Sequence, residues 1–491
     1  MIADDTPEPI LARANRGYRS TLLSQAVRVA CKAGAVVVLA RVVSPAEHGL
    51  FAMAASLTLV LVLFRDLGLG VIAVQTPELS EEQKTTLWRA HVVIGVALTL
   101  ATAALAPAVA RFYGEPRVQP LLFAMSASLL LIGLNAWPRV LLARDLRFAE
   151  LNRLETLAAV IGTVAMISAA ALGAGAFSFV VFLLVSEAVN LVEAWRICRW
   201  RPRAPVRWES LRGLLRHGAN LTGYNVLVYF LSQIDTLLMG RWFGAHALGL
   251  YTRPGQLLLL AHVHLGTPLN QVLLATLSRL GVASPDFVRH IRETANLIVH
   301  LTLPLAVICA LVPEPIIRWV LGPGWPEAAP LLRWLAISAG AGFLTATIYP
   351  LCVATGHTRR LALMSAAALP VIAAGIWLGR AHGPAGLAAG VALANFALLL
   401  PRLWWATHAT PVRLRDLANA FRGPLALSSA LGAGMAAATN LISTGQPVLP
   451  LAGGALGVLA LCALWPGLRD ELRAVWRFRP GANAFETRTA R

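Results

Sequence analysis

The sequence predicts an all-α polytopic membrane protein: about fourteen transmembrane helices, arranged as two pseudo-symmetric six-helix bundles with a C-terminal helix pair. Three observations carry this. The chain has 491 residues, of which 57% are hydrophobic and only 13% charged, where a soluble chain carries about 25% charge. Its mean hydropathy is +0.65. Apolar runs of roughly twenty residues recur about fourteen times, without the period-2 alternation of a membrane barrel. A bilayer core offers backbone groups no water, so such runs must be helices. Third, Arg41, Gly49-Leu50-Phe51 returns as Arg241, Gly249-Leu250-Tyr251, an offset of 200. Each copy lies between two apolar runs, the mark of a chain built from two related halves.

The net charge of +18 is not a nucleic-acid signal, because most of the lysines and arginines fall in the tails and in alternate loops. That bias places both termini in the cytoplasm and requires an even number of crossings. Cys31, Cys198, Cys309, Cys352 and Cys462 make no zinc, redox or disulfide spacing, so neither metal nor cofactor is expected. The first eighteen residues are polar and no cleavage site follows the first run, which should stay as an anchor. The only lysines, Lys32 and Lys84, follow no phosphate-loop glycines, so direct use of ATP is not expected.

In order, residues 1–18 read as a cytoplasmic tail and 19–197 as the first six-helix bundle. Run 1 spans Thr21 to Ala40, and run 2 spans His48 to Phe64 after a tight outer turn at Ser44-Pro45. Gly68-x-Gly70-x-x-Ala73 mimics a dinucleotide fingerprint but has no preceding strand, and Pro77 follows where a helix should run. Runs 3 to 6 are Leu87–Ala110, Val118–Trp137, Leu154–Leu172 and Phe177–Ile197, with an arginine-rich inner loop after Trp137-Pro138. Residues 198–216 form a basic linker on the cytoplasmic face.

The second bundle, 217–405, holds runs Ala219–Gly240, Leu248–Leu277, Thr294–Val312, Ala328–Ala354, Leu361–Leu378 and Ala385–Trp404. Pro268, Pro304, Pro350 and Pro370 are expected as kinks. Tyr349-Pro350 answers Trp137-Pro138 at an offset of 212, which suggests an insertion within Pro313 to Pro330. Gly240-x3-Gly244, Gly375-x3-Gly379 and Gly386-x3-Gly390 allow close helix approach. A basic loop at 406–423 precedes the uncharged final pair, 424–467, and a basic tail at 468–491.

Polar groups within runs mark candidate chemistry. A Lys or Arg at a helix centre costs roughly 2.5–3.5 kcal/mol on insertion scales. Gln25, Arg28 and Lys32 share one face of run 1. Two readings stand: a cationic face for an anionic substrate, or side chains snorkelling to the inner surface. Arg253 and Gln256 share a face of run 8, with His264 beyond them; Asn225, Ser232 and Asp235 share one of run 7. Asp235 and Glu187 are candidates for proton or cation coupling, Asp235 alternatively for an ion pair with Arg28, Lys32 or Arg253. Glu193 reads as solvated and Asn190 as an interhelical hydrogen bond. His262 and His264 have poor metal geometry, and His300 reads as a satisfied core residue. Tryptophans such as Trp88, Trp137, Trp195, Trp242, Trp319 and Trp465 read as an interfacial belt. The first outer loop carries one acid, Glu47, which speaks against an external acid–base enzyme.

Arg41-Val-Val-Ser-Pro-Ala-Glu-His-Gly-Leu-Phe, Arg65-Asp66-Leu-Gly-Leu-Gly and Arg241-Trp-Phe-Gly-Ala-His-Ala-Leu-Gly-Leu-Tyr-Thr-Arg253 resemble the polysaccharide-biosynthesis branch of the multidrug/oligosaccharidyl-lipid/polysaccharide exporter superfamily. The resemblance spans residues 15–410 in plan, and the final pair matches fourteen-helix members. It implies a lipid-linked oligosaccharide flippase of the bacterial inner membrane, two bundles around a cavity opening alternately to each side. Cationic residues of helices 1, 2, 7 and 8 would hold an undecaprenyl-pyrophosphate-linked repeat unit, and the last two helices a lipid tail. Arg28 and Lys32 carry over by helix and charge, Arg253 within a matched segment. Membrane lipids and a polysaccharide polymerase or co-polymerase are the implied partners. The alternatives are a cation-coupled multidrug exporter of the same superfamily and a membrane enzyme of envelope-glycan assembly.

Overall fold

A computed structural model describes residues 10–62, 64–65, 73, 79–145, 147–205, 212–261, 263, 266–408, 410–441 and 448–464. Gly68, Gly70, Arg207, His262, His264 and Trp465 lie outside them, as do the side chains of Asn225 and Ser232. No strand occurs among the described residues. Every predicted run is helical over most of its described residues. Eight described stretches are long and apolar enough to cross a membrane, and the chain is a multi-pass membrane protein. It groups into two compact units, Met1–Gly249 and Leu250–Arg491.

The first unit opens with α1 (Ile10–Val42), α2 (Pro45–Val62), α3 (Glu81–Tyr113) and α4 (Val118–Arg144). It continues through α5 (Phe148–Ala171), α6 (Phe177–Ile197) and the first part of α7 (Arg212–Ala261). α1 begins well before the predicted run, because 10–20 contains no proline to stop it. α3 also starts early. Ser80 accepts from the Gln83 amide and Gln83 reciprocates, a capping box that places Glu81 and Glu82 in the first turn, where the helix dipole favours acids.

Trp137-Pro138 does not end α4 as the sequence suggested; the helix runs on to Arg144 with Pro138 inside it. A proline deprives the carbonyl four residues back of its donor. That carbonyl belongs to Leu134, and it accepts instead from the Trp195 indole at 3.1 Å. Trp137 is fully buried. Trp88, Trp195 and Trp200 complete a cluster at 6.1–6.4 Å ring spacings. These tryptophans therefore tie the start of the linker to α3, α4 and α6 rather than anchoring a belt. Among the described residues Trp242, Trp319, Trp377 and Trp404 are exposed.

The second unit continues with α8 (Thr267–Leu280), α9 (Pro285–Leu311), α10 (Pro313–Val320), α11 (Ala328–Leu344) and α12 (Ile348–Ala354). Then come α13 (Thr358–Gly379), α14 (Gly383–Ala397), α15 (Leu399–Thr407), α16 (Leu414–Leu441) and α17 (Val448–Leu464). Predicted runs 8, 10 and 12 are each broken into two helices. Pro268 lies at the start of α8, a first-turn position that needs no amide. α10 fills the segment where the insertion was expected, with Ile317 buried and Trp319 exposed.

The glycine pairs on α13 and α14 face each other. A Cβ on Gly375 would lie 2.4 Å from the Gly390 carbonyl oxygen, and one on Gly379 2.2 Å from that of Gly386. Only glycine allows that approach. Gly434 and Gly453 do the same for α16 and α17. The final pair is anchored through α16, whose Ala420 carbonyl accepts from Asn296 on α9 at 2.8 Å. Phe287, Ile291, Leu417 and Phe421 share the apolar core there.

Candidate functional site

α1 packs on α5 through Ala35 and Leu39 against Met166 and Ala170, with Val43 just past the helix end in the same cluster. At about 100° per residue, Arg28 and Lys32 belong to the same face as those buried α1 positions. Their environments differ. Arg28 donates through Nη1 to Glu155 Oε2 on α5 at 2.5 Å, with Nη2 at 3.5 Å from Asn152 Oδ1. The other Glu155 oxygen accepts from Arg139 Nη2 on α4, also at 2.5 Å. One carboxylate thus bridges two guanidiniums from two other helices, leaving the group one positive charge in excess. The Arg28 side chain is 15% exposed, while Arg139 and Glu155 are 30% and 31% exposed. The ion-pair partner of Arg28 is Glu155, not Asp235.

One turn further along, Lys32 is exposed, as is Gln25 on the Arg28 side. Neither has a hydrogen bond or ion pair with a described residue. The face that is tightly packed from Ala35 to Val43 is therefore open at Lys32. Lys32 has no carboxylate partner among the described residues, and both sequence readings, a cationic face for an anion and a side chain reaching the inner surface, stand for it.

Arg253 is buried at 6% exposure and donates to Gln256 Oε1 at 2.9 Å, so the three-residue spacing joins them as expected. Asp235 is half-buried and accepts from the Thr236 amide at 2.8 Å. Glu187 accepts from Asn135 on α4 at 2.7 Å, a contact between two helices that a single sequence does not reveal. Glu193 pairs with Arg196 at 2.9 Å. Asn190 and His300 are buried, His300 with Nδ1 2.9 Å from Asn296 Oδ1. Among the described residues no group of three or more His, Cys, Asp or Glu could hold a metal ion.

The residues missed are Glu155, Arg139 and Asn152. Glu155 stands at the edge of run 5, where an acid reads as solvated, and Arg139 falls in the inner loop that the sequence predicts after Trp137-Pro138. The available signal was the spacing of three between Asn152 and Glu155, which puts both on one helical face.

The two copies of the repeated frame meet in the first unit. A Cβ on Gly49 would lie 1.7 Å from the Ala245 carbonyl oxygen, and one on Gly249 1.8 Å from that of Pro45. The contact is reciprocal at the repeat offset: 49 on 245, 249 on 45. Gly244, at φ 80°, kinks α7 just before it. Glu47 fastens the same corner. Its Oε2 accepts from the Ala176 amide at the start of α6 (2.8 Å) and its Oε1 from Arg117 (3.3 Å). Arg117 also donates to Glu115, holding that carboxyl below its usual range. The lone acid of this loop is therefore a structural clasp.

A family model described as polysaccharide biosynthesis protein matches residues 38–330, more than half of the chain. The succinoglycan biosynthesis transport protein ExoT of Rhizobium meliloti (strain 1021) is 26% identical over 367 residues, 72% of this chain and 71% of that protein. The lipopolysaccharide biosynthesis protein WzxC of Escherichia coli (strain K12) is 22% identical over 302 residues. The match covers 61% of this chain and only 61% of the Escherichia coli protein's length. Among solved structures, lipid II flippase MurJ in an inward closed conformation covers 93% of this chain and 99% of its own, with a TM-score of 0.69 and 14% identity. At that identity the likeness is one of fold. On the family match, which runs through both copies of the repeated frame, this chain belongs to the polysaccharide biosynthesis protein family.

Proposed function

We propose that this chain is a flippase of the bacterial inner membrane. It moves a lipid-linked oligosaccharide, carried on undecaprenyl pyrophosphate, to the outer leaflet by alternating access, without using ATP directly and without acting as an enzyme. Family membership supports this reading, as do relatives named for lipopolysaccharide biosynthesis and succinoglycan transport. The observation that carries it is Lys32: a cation on the packing face of α1, exposed where that face opens, beside a bridged pair of arginines. Lys32, Arg28 and Gln25, with Arg253, Gln256 and Asn225 from the second repeat, would hold the pyrophosphate and first sugars. Glu187 and Asp235 would serve ion coupling. A basic face of this kind disfavours cationic drugs as cargo. The repeats are 19–197 and 217–405, joined by the linker 198–216, and a polysaccharide polymerase or co-polymerase would take the product.

In a strain lacking the chain, the lipid-linked glycan is expected to accumulate on the inner leaflet and return to normal on complementation. A deletion strain with no such accumulation would remove the flippase reading. Both termini are cytoplasmic in this scheme. A reporter fused near Arg207 is expected to read cytoplasm and one near Gly324 periplasm; the same side for both would break the scheme.

A further inference from the structure

The Glu155 bridge is an unusual way to spend a carboxylate. It holds Arg28 from α1 and Arg139 from α4 with one oxygen each. Apart from the 3.5 Å approach of Arg28 to Asn152, those guanidiniums make no other hydrogen bond to a described residue. Most of their N–H groups remain able to take anion oxygens, for which the planar fork of arginine is suited. Arg139 and Glu155 are about 30% exposed and Arg28 15%, so the bridge is not sealed inside the helix packing. Lys32, the next cation along α1, has no described carboxylate.

We propose that Glu155 is a placeholder anion. In the empty protein it occupies Arg28 and Arg139 and keeps both side chains in place. A pyrophosphate group arriving at the site displaces it and takes the two guanidiniums together with Lys32. This rests on the flippase reading and adds to it a positioning residue that tunes substrate affinity. The physical ground is competition. Two guanidiniums left without an anion in a partly buried site repel each other and lose solvation. A single carboxylate removes that cost without neutralising the site. Pyrophosphate carries more negative charge and more acceptor oxygens, so it wins the exchange through stronger attraction to the same cations. The carboxylate also lowers the affinity, because part of the binding energy goes to its displacement; a weakened grip makes release on the far side faster.

The test measures binding of inorganic pyrophosphate to the purified full-length chain by calorimetry. Glu155→Gln removes the competing charge and keeps the shape. It is expected to tighten pyrophosphate binding about tenfold or more, with Glu155→Asp close to wild type. A merely structural role for Glu155 would weaken binding or leave it unchanged, and either result overturns the placeholder. Wild-type binding that is lost in Arg28→Ala but not tightened in Glu155→Gln leaves the cationic site standing and sinks only this inference. Absence of pyrophosphate binding in every variant sinks both. Should Glu155→Gln fail to fold, a structure of the wild-type chain with pyrophosphate decides. Phosphate oxygens on Arg28 with Glu155 displaced support the proposal, and Glu155 still bridging both arginines rejects it.

Discussion

Valine at Gly49 or at Gly249 is expected to reduce polysaccharide export to below about a tenth of wild type and to lower the melting temperature. At both positions the added Cβ meets a backbone carbonyl, at 1.7 and 1.8 Å, not the movable end of a side chain. Real Cβ atoms essentially never come within 3.0 Å of a non-bonded heavy atom from elsewhere in the fold, so α2 and α7 must separate by about an ångström or more. Overpacking of this kind costs roughly 1–3 kcal/mol. The close backbone approach also loses its weak Cα–H to carbonyl contacts. A state disfavoured by about 2 kcal/mol falls roughly thirtyfold in population, so a cycle that passes through this closed contact stalls. Alanine should give an intermediate loss, because its Cβ makes the same clash without the two methyls. Gly34→Ala is the control: nothing lies within 4 Å of its Cβ, and export and melting should stay unchanged. Normal export from Gly49→Val would show that the reciprocal contact is not part of the working cycle.

That contact shows what the sequence could and could not convey. The repeated frame was legible, since Arg41 and Gly49 recur as Arg241 and Gly249. That the two copies touch was not, because spacing along a chain says nothing about which helices pack. Helix existence was legible from apolar length, yet α4 passes through Pro138 because the Leu134 carbonyl finds Trp195 sixty-one positions away. Nothing local announces that donor. The cationic face of α1 was legible from spacings of three and four. Its counter-charge was not: Glu155 is fixed by the packing of α1 on α5, and Arg139 reaches it only because α4 continues beyond its proline. Trp88, Trp137 and Trp195 misled for the same reason, since an aromatic near a predicted membrane boundary looks the same whether it faces lipid or another indole. In each case the local pattern was sound and the missing information was a contact between helices.

Lys32 and Arg28 separate function from stability, and alanine at each should give a different pattern. Lys32 holds no hydrogen bond or ion pair with a described residue, so Lys32→Ala removes no interaction with the described part of the empty protein. A lysine well inside a helix costs roughly 2.5–3.5 kcal/mol of insertion energy, so its loss should leave membrane insertion and melting unchanged or slightly improved. Export should nevertheless collapse. A charged contact to a bound phosphate is worth about 2–5 kcal/mol, and each 1.4 kcal/mol is about tenfold, so substrate affinity should fall by about thirtyfold or more. Arg28→Ala should lose export and lower the melting temperature as well, because Glu155 is left with Arg139 alone in a partly buried site. Arg253→Ala should resemble Arg28→Ala, since that side chain is buried and bonded to Gln256. Lys32→Arg keeps the charge and should retain part of the export. The decisive measurement pairs surface polysaccharide with a melting curve for each variant. Full export from Lys32→Ala would remove the substrate-binding role of α1, whereas lost export with an unchanged melting curve is what an open, uncompensated cation awaiting an anionic ligand requires.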